Sequence, residues 1–218
     1  GSLENVKNVL GGKNGDFVTA VDEKSIIIVK ELSESDSYPQ VDKIANTILT
    51  TLGVEKDSNT HIAYGTIVKE LKEVSRSYKE ARMALDVGKI FYSDKKVMAY
   101  SNLGIGRLIY SLPMPLCRQF LGEVFAQADP GAFDEEALTT IRQFFEDSLN
   151  VAETARHLYI HRNTLVYRLD KIQKGLGLNI RNFDDAMMLR LGLMVYEYVR
   201  EKEQEEEKER KTDGRTDV

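Results

Sequence analysis

The stretch NVAETARHLYIHRNTLVYRLDKIQKGLG, residues 150–177, decides the fold of the C-terminal half of this chain. Asn150, followed three residues later by Glu153, is typical of a helix that begins with a capping box. Apolar residues then recur at helical spacing on both sides of a short break, at Val151, Ala155, Leu158, Leu165, Leu169 and Ile172. Two short helices whose apolar faces meet across a tight turn form a helix-turn-helix. We expect Ala155 to lie at the crossing and Ile160 to fill the core beneath the turn.

The second predicted helix, residues 162–174, carries a polar face opposite Leu165 when residues are placed about 100° apart. That face holds Asn163, Thr164, Tyr167, Asp170, Lys171 and Lys174. Between residues 150 and 182, six Lys and Arg outnumber two acidic residues, a local net charge of +4 in a chain of net charge −5. Phosphate binding needs such a concentration of positive charge. A plain amphipathic helix pair has the same spacing and is the alternative interpretation.

Residues 149–198, LNVAETARHLYIHRNTLVYRLDKIQKGLGLNIRNFDDAMMLRLGLMVYEY, closely resemble the C-terminal DNA-binding domain of the PucR/CdaR transcriptional regulators. The motif HRNTLVYRL, the Gly-Leu turn after it and the DD…LRLGL helix carry the resemblance. It implies that Asn163, Thr164, Tyr167 and Arg168 belong to a recognition helix. The sequence departs from the wider helix-turn-helix pattern at Tyr159, where many relatives place Gly, which leaves the backbone geometry of the turn open.

The predicted DNA contacts are Arg156, His161, Arg162, Asn163, Thr164, Tyr167, Arg168 and Lys171. The amide, hydroxyl and amine groups of this set suit base edges in the major groove, so we expect Asn163, Thr164, Tyr167 and Lys171 to read bases. We expect Arg156, Arg162 and Arg168 to hold phosphates. Two roles are open for His161. It either caps the helix and contacts a phosphate, or only packs at the turn. Arg156 is either a phosphate contact or solvated surface, and His157 is expected to be exposed.

The first hundred residues alternate strand and helix signals. The runs FVTAV (17–21) and SIIIVKEL (25–32) predict a hairpin, and the ββαβαβ order predicts an α+β domain with a mainly antiparallel sheet. This order resembles the second half of a GGDEF domain, which implies a degenerate ferredoxin-type α/β sandwich. The turn VDEKS (21–25) keeps Asp22 and Glu23 but lacks the paired glycines, so cyclase activity is not expected. The family's domain usually begins with a strand before the hairpin, and little sequence is left to supply it.

The predicted organisation has a GGDEF-like domain over residues 3–100 and a helical connector over 101–133, with a hinge at LPMPL (112–116). A helix-turn-helix domain over 134–200 and a charged, disordered tail over 201–218 follow. Helices are predicted at about 115–128, 134–147, 151–158, 162–174 and 184–210. Either Asn182 or Asp184 caps the last of them.

Composition limits the compartment, the partners and the kinds of site that can be expected for this chain. The single cysteine, Cys117, fits a reducing compartment and a buried position. No apolar run approaches the roughly 20 residues of a membrane span, so we expect a cytoplasmic protein without a membrane partner. The opening Gly1-Ser2 is typical of a cloning remnant, so we expect a piece of a longer protein. Three histidines and one cysteine give no metal-ligand spacing, and we predict no catalytic residue, metal or cofactor.

The sequence therefore predicts an all-α helix-turn-helix domain after the α/β sandwich, in a transcriptional regulator rather than an enzyme. Its expected partners are double-stranded DNA and a second copy of the chain. The resemblance implies control of sugar-diacid or related small-acid metabolism, with the effector bound by an N-terminal domain absent from this sequence. The alternatives are a nucleotide-binding or residual cyclase module and a helical protein-interaction module.

Overall fold

The computed structural model describes residues 2–10, 15–22, 24–53, 59–126 and 129–213. The chain divides into two compact units, Gly1–Arg107 and Leu108–Val218. The connector predicted over residues 101–133 is therefore divided between the two units. Within the described ranges, every helix is too short or too polar to cross a lipid bilayer.

The first unit contains α1 (Ser2–Leu10), β1 (Phe17–Ala20), β2 (Ile26–Val29), α2 (Tyr38–Thr51), β3 (Ile62–Tyr64), α3 (Val74–Phe91) and β4 (Val97–Ala99). Helix α1 lies before the hairpin, where the family's domain usually begins with a strand, and no helix was predicted for its residues. Val6 and Leu10 fall on one face of α1 and are buried against Ile48 of α2, so this helix covers part of the domain core.

The strands of the first unit form two separate pairs in the described part of the chain. Strands β1 and β2 are antiparallel, from Phe17 opposite Val29 to Ala20 opposite Ile26, which confirms the predicted hairpin. Strands β3 and β4 are parallel, with Ile62 opposite Val97. The prediction of a mainly antiparallel sheet was wrong on this point. A parallel pair needs a crossover connection, and α3 supplies it.

The second unit is helical. It contains α5 (Met114–Val124), α6 (Glu135–Glu146), α7 (Val151–His157), α8 (Arg162–Leu176) and α9 (Phe183–Asp213), and α4 (Ile105–Tyr110) spans the boundary between the units. The short α4 was not predicted. The helix predicted over 115–128 ends at Val124, and residues 127–128 lie outside the described residues.

Helix α9 continues far beyond its apolar part. The segment 201–218 was expected to be disordered, but it is helical up to Asp213, and residues 214–218 lie outside the described residues. Lys211 Nζ lies 2.6 Å from Glu207 Oε1 one turn earlier, and such pairs support an exposed helix. Of the two predicted caps, Asn182 is the one used: its Oδ1 accepts a hydrogen bond from the Asp185 amide at 2.9 Å.

One apolar core joins the helices around the predicted helix-turn-helix. Its fully buried side chains come from α6, α8, α9 and the segment before α9, and are Ile141, Phe144, Leu165, Leu169, Ile180 and Leu189. Ala155 and Ile172 are also buried, and Ile160 packs against the same cluster, as the apolar spacing predicted. Cys117 is buried in α5, the expected position for a small apolar residue.

Candidate nucleic-acid interface

Helix α7 begins at Val151 because Asn150 caps it. The Asn150 Oδ1 atom accepts hydrogen bonds from the amides of Ala152 and Glu153, at 3.0 and 3.2 Å. The Glu153 carboxylate does not complete a capping box, since it pairs with Arg156. Thr154, which is fully buried, donates its hydroxyl to the Asn150 carbonyl at 2.8 Å. The predicted start of the helix is confirmed, with a one-sided cap.

The turn between α7 and α8 is closed by backbone hydrogen bonds. The Tyr159 amide donates to the Arg156 carbonyl at 3.1 Å, and the Ile160 amide donates to the Ala155 carbonyl at 3.0 Å. These two bonds define a Schellman motif, which places the residue after the C-cap in the left-handed region. That residue is Tyr159, with φ of +54°. The turn therefore forms without a glycine at this position.

His161 caps helix α8. Its Nδ1 accepts a hydrogen bond from the Asn163 amide at 3.3 Å, so Nδ1 carries no proton in this arrangement. Of the two roles left open for His161, the capping role is the one the structure shows. A phosphate contact by the exposed ring remains a prediction.

Helix α8 has two distinct faces. Leu165 and Leu169 are completely buried and Ile172 is 5% exposed. The opposite side is exposed to solvent and consists of Asn163, Thr164, Tyr167, Asp170, Lys171 and Lys174. Tyr167 is 69% exposed, so its ring and hydroxyl are accessible from solvent. The structure thus brings the four predicted base-reading residues together on one accessible face.

Two cations of α8 are paired with acidic residues at the start of α6. Arg168 Nη2 lies 2.7 Å from Glu136 Oε1, and Lys171 Nζ lies 3.6 Å from Asp134 Oδ2. Sequence reasoning missed both acids because the charge count began at residue 150. The acidic run Asp134-Glu135-Glu136 was the available signal. These carboxylates offset part of the local positive charge.

The other predicted cations differ in their surroundings. Arg156 pairs with Glu153 on the same helix. Arg162 is exposed and has no ion pair with any residue in the part of the chain that the structure describes. Among the predicted phosphate contacts, Arg162 is therefore the arginine whose charge is not already matched by a carboxylate.

Arg181, which entered the sequence argument only as a positive charge, holds the polar side of α8 in place. Its Nη2 donates to Asp170 Oδ1 at 2.7 Å and to the Val166 carbonyl at 3.2 Å. Its Nη1 donates to Gln173 Oε1 at 3.2 Å. The pair offsets the charge of Asp170, which would otherwise repel an anion near the exposed face of α8. No local periodicity points to Arg181, because its partners lie in the preceding helix.

His157 was expected to be merely exposed, but its Nδ1 lies 2.8 Å from Asp147 Oδ1 at the end of α6. Burial alone would raise the pKa of Asp147. Hydrogen bonds from Gln143 and His157 outweigh that effect, so the pKa of Asp147 is lowered. This carboxylate therefore links the end of α6 to α7.

Comparison with known proteins agrees with this geometry. Residues 137–195 match the model of the PucR C-terminal helix-turn-helix domain, and residues 1–87 match the GGDEF-like domain. The chain belongs to the PucR/CdaR family. The PucR domain match includes the whole of α7 and α8, so all the predicted DNA contacts lie inside it.

Three curated relatives are similar to this PucR/CdaR-family chain. The purine catabolism regulatory protein of Bacillus subtilis is 26% identical over 175 residues, 80% of this chain and 33% of the relative. The carbohydrate diacid regulator of Escherichia coli is 31% identical over 126 residues, which are 57% of this chain and 32% of the relative. The proline-responsive transcriptional activator PutR of B. subtilis is 23% identical over 201 residues, which are 88% of this chain and 48% of the relative. The chain thus spans about a third to a half of the length of these relatives.

The hairpin turn of the GGDEF-like domain is closed by its own side chain. Asp22 Oδ1 accepts a hydrogen bond from the Lys24 amide at 2.7 Å, and the Val21 amide donates to the Ser25 carbonyl at 2.9 Å. The bond from Lys24 lowers the pKa of Asp22. The predicted Glu23 lies outside the described residues. Since a turn amide that could face a phosphate is occupied by Asp22, this turn differs from a phosphate cradle.

Asp16, at the other end of the hairpin, also has an internal role. Its side chain is 4% exposed and lies 2.6 Å from Lys30 Nζ, and it accepts a hydrogen bond from the Glu31 amide at 3.0 Å. These contacts join the beginning of β1 to the end of β2. The described residues of the PucR/CdaR-family chain contain no group of three or more His, Cys, Asp or Glu arranged to hold a metal ion.

Proposed function

We propose that this PucR/CdaR-family chain acts as a DNA-binding transcriptional regulator that inserts α8 into the major groove. The observation that carries the proposal is the accessible polar face of α8, held in a helix-turn-helix by the Asn150 and His161 caps. A recognition helix reads base edges with residues near its N-terminal end. Asn163, Thr164 and Tyr167 have that position and that chemistry.

The proposed division of labour follows the contacts that each side chain already makes. Asn163, Thr164, Tyr167 and Lys171 read base edges. Arg162, whose charge has no internal partner among the described residues, holds a phosphate directly. Arg156 and Arg168 pair with carboxylates in the protein alone and exchange those partners for phosphates in the complex. His161 adds a phosphate contact from its exposed ring.

The GGDEF-like domain is proposed to act without catalysis. The Asp22 carboxylate occupies a turn amide, and the turn lacks the glycines that let a backbone approach a nucleotide closely. A purified chain that forms no cyclic dinucleotide from a nucleoside triphosphate and Mg²⁺ supports this statement. Product formed by the chain, but not by an Asp22→Ala variant, would favour the cyclase alternative.

A single helix-turn-helix offers a small interface with DNA, so we propose that a homodimer reads paired half-sites. The names of the three relatives refer to purine catabolism, a carbohydrate diacid and proline. We propose that this chain likewise controls genes of small-molecule metabolism. The assignment to a sugar diacid or similar acid, sensed by a domain outside this sequence, stays a prediction. A regulator of this kind acts in the cytoplasm.

The test is the salt dependence of binding to duplex DNA. The purified chain is titrated onto a labelled mixed-sequence duplex at several KCl concentrations from about 50 to about 200 mM. The wild-type affinity should fall steeply with salt, and Arg162→Ala should reduce the slope of log K against log salt by about 1. Arg118→Ala is the matched control, because Arg118 is an exposed arginine on α5 paired with Glu203. Wild-type binding without a salt slope would exclude the proposed function.

A further inference from the structure

Three non-glycine residues among those described have a left-handed backbone: Ser148, Leu149 and Tyr159. This conformation is unfavourable for residues with a Cβ atom, so each position needs a compensating interaction. Leu149 has one, because its side chain packs against the core of the second unit. Ser148 is small and polar, and such residues tolerate the region better than bulky ones.

Tyr159 has no such compensation. Its side chain is 95% exposed, and its hydroxyl makes no hydrogen bond with any other residue in the described ranges. The Schellman hydrogen bonds of the turn are made by backbone atoms, and glycine at the same position would make them without the unfavourable contact. A large aromatic residue is therefore held in a costly conformation and projects into solvent.

The location of Tyr159 suggests what that side chain meets. It lies three residues before Arg162 and two before the His161 cap, in a turn flanked by two histidines and two arginines. Because the N-terminal end of α8 is the end that enters the groove, the residues just before it come close to the strand that borders the groove. Tyrosine hydroxyls are among the groups that contact DNA phosphates.

We infer that the Tyr159 hydroxyl donates a hydrogen bond to a DNA backbone phosphate beside the recognition helix, an inference that rests on the proposed function. The unfavourable backbone conformation is then the cost of presenting this hydroxyl, as strained positions at binding sites often are. The contact is to the backbone, so it strengthens binding to all sequences alike. It involves no charge on the protein, so it leaves the salt slope unchanged.

The experiment compares the full chain with Tyr159→Phe, Tyr159→Gly and Ser148→Gly, on the mixed-sequence duplex described above. Tyr159→Phe should weaken binding about tenfold or more, the loss of one hydrogen bond to a charged group, with an unchanged salt slope and melting temperature. Tyr159→Gly should weaken binding at least as much while raising the melting temperature of the second unit by about 2 to 4 °C. Ser148→Gly relieves the same kind of backbone conformation and should leave DNA affinity unchanged.

The loss of this hydrogen bond is expected to weaken DNA binding by more than about twofold. If the affinity of Tyr159→Phe stays within about twofold of wild type, the Tyr159 contact is overturned and the proposed function remains intact. A wild-type chain without salt-dependent binding overturns the proposed function, and the Tyr159 contact with it. Equal losses of affinity in Tyr159→Gly and Ser148→Gly also overturn the contact, because the effect would then come from the backbone.

Discussion

Arg168 of α8 and Glu136 of α6 form an ion pair, with Nη2 of the arginine 2.7 Å from Oε1 of the glutamate. The Arg168 side chain is 22% exposed and that of Glu136 is 52% exposed. A pair this accessible contributes about 1 kcal/mol or less to stability. Its larger effect is electrostatic, because it places a carboxylate beside a cation that is proposed to meet a phosphate.

Replacing Glu136 with Gln is expected to raise DNA affinity about threefold to tenfold at low salt, because the phosphate no longer competes with a carboxylate for Arg168. The slope of log K against log salt should become steeper by up to about 1. Anisotropy titrations across a salt series measure both quantities.

Glu203→Gln is the matched control, since it breaks the exposed ion pair between Glu203 of α9 and Arg118 of α5. Its DNA affinity should stay close to that of the wild type. If Glu136→Gln instead bound DNA more weakly and unfolded at a lower temperature, Arg168 would have a structural role and not a phosphate-binding one.

Removing the α7 cap should destabilise the second unit. Asn150→Ala loses the acceptor for the amides of Ala152 and Glu153, and the expected loss is about 1 kcal/mol. Asn150→Asp keeps the acceptor and should stay within about 0.5 kcal/mol of wild type. Urea unfolding followed by circular dichroism gives both values. Equal stabilities of the two variants would show that the cap contributes nothing.

The core of the helix-turn-helix should be far less tolerant than its surface. Leu169 is completely buried, so Leu169→Ala should lower the free energy of unfolding by about 2 to 5 kcal/mol and abolish DNA binding with it. Leu116→Ala truncates a leucine that is 48% exposed, so it should lower the free energy of unfolding much less than Leu169→Ala does. A small effect of Leu169→Ala in the same urea titration would contradict the assignment of this face to the core.

Acid should weaken the link between α6 and α7. The pKa of Asp147 is lowered from its ordinary value of 3.8, so the unfolded chain binds a proton there more readily than the folded chain. The stabilisation is therefore present above about pH 4 and is lost as the pH falls through the folded-state pKa. Thermal unfolding as a function of pH should show a shallower acid loss in Asp147→Asn than in wild type. The same acid loss in Asp147→Asn and in wild type would contradict the proposed contribution of this carboxylate.

The helix-turn-helix could be predicted from the sequence because its determinants are local. The Asn150 cap and the spacing of Leu165, Leu169 and Ile172 lie within one short stretch, and the structure confirms the burial and exposure that this spacing implies. The hairpin of the first unit was predictable for the same reason.

What the sequence did not reveal depends on contacts between distant residues. Glu136 meets Arg168 from a different helix, and the parallel pairing of β3 with β4 joins strands separated by α3. Helix α1 is stabilised by burial of Val6 and Leu10 against α2. This burial cannot be predicted from the short segment alone. The sequence left the backbone of Tyr159 open because a tyrosine argues against the left-handed conformation, which the hydrogen bonds of the turn impose.

Selection of bound sequences from random duplex DNA tests most directly whether the exposed face of α8 reads bases. The wild-type chain should enrich two inverted half-sites whose centres lie about 10 base pairs or a multiple apart. Asn163→Ala should relax the preference at one position of each half-site, where discrimination of about 1 to 3 kcal/mol is lost. No enriched sequence, or the same sequence enriched with equal strength by Asn163→Ala, Thr164→Ala and Tyr167→Ala, would contradict the assignment of α8 as a recognition helix.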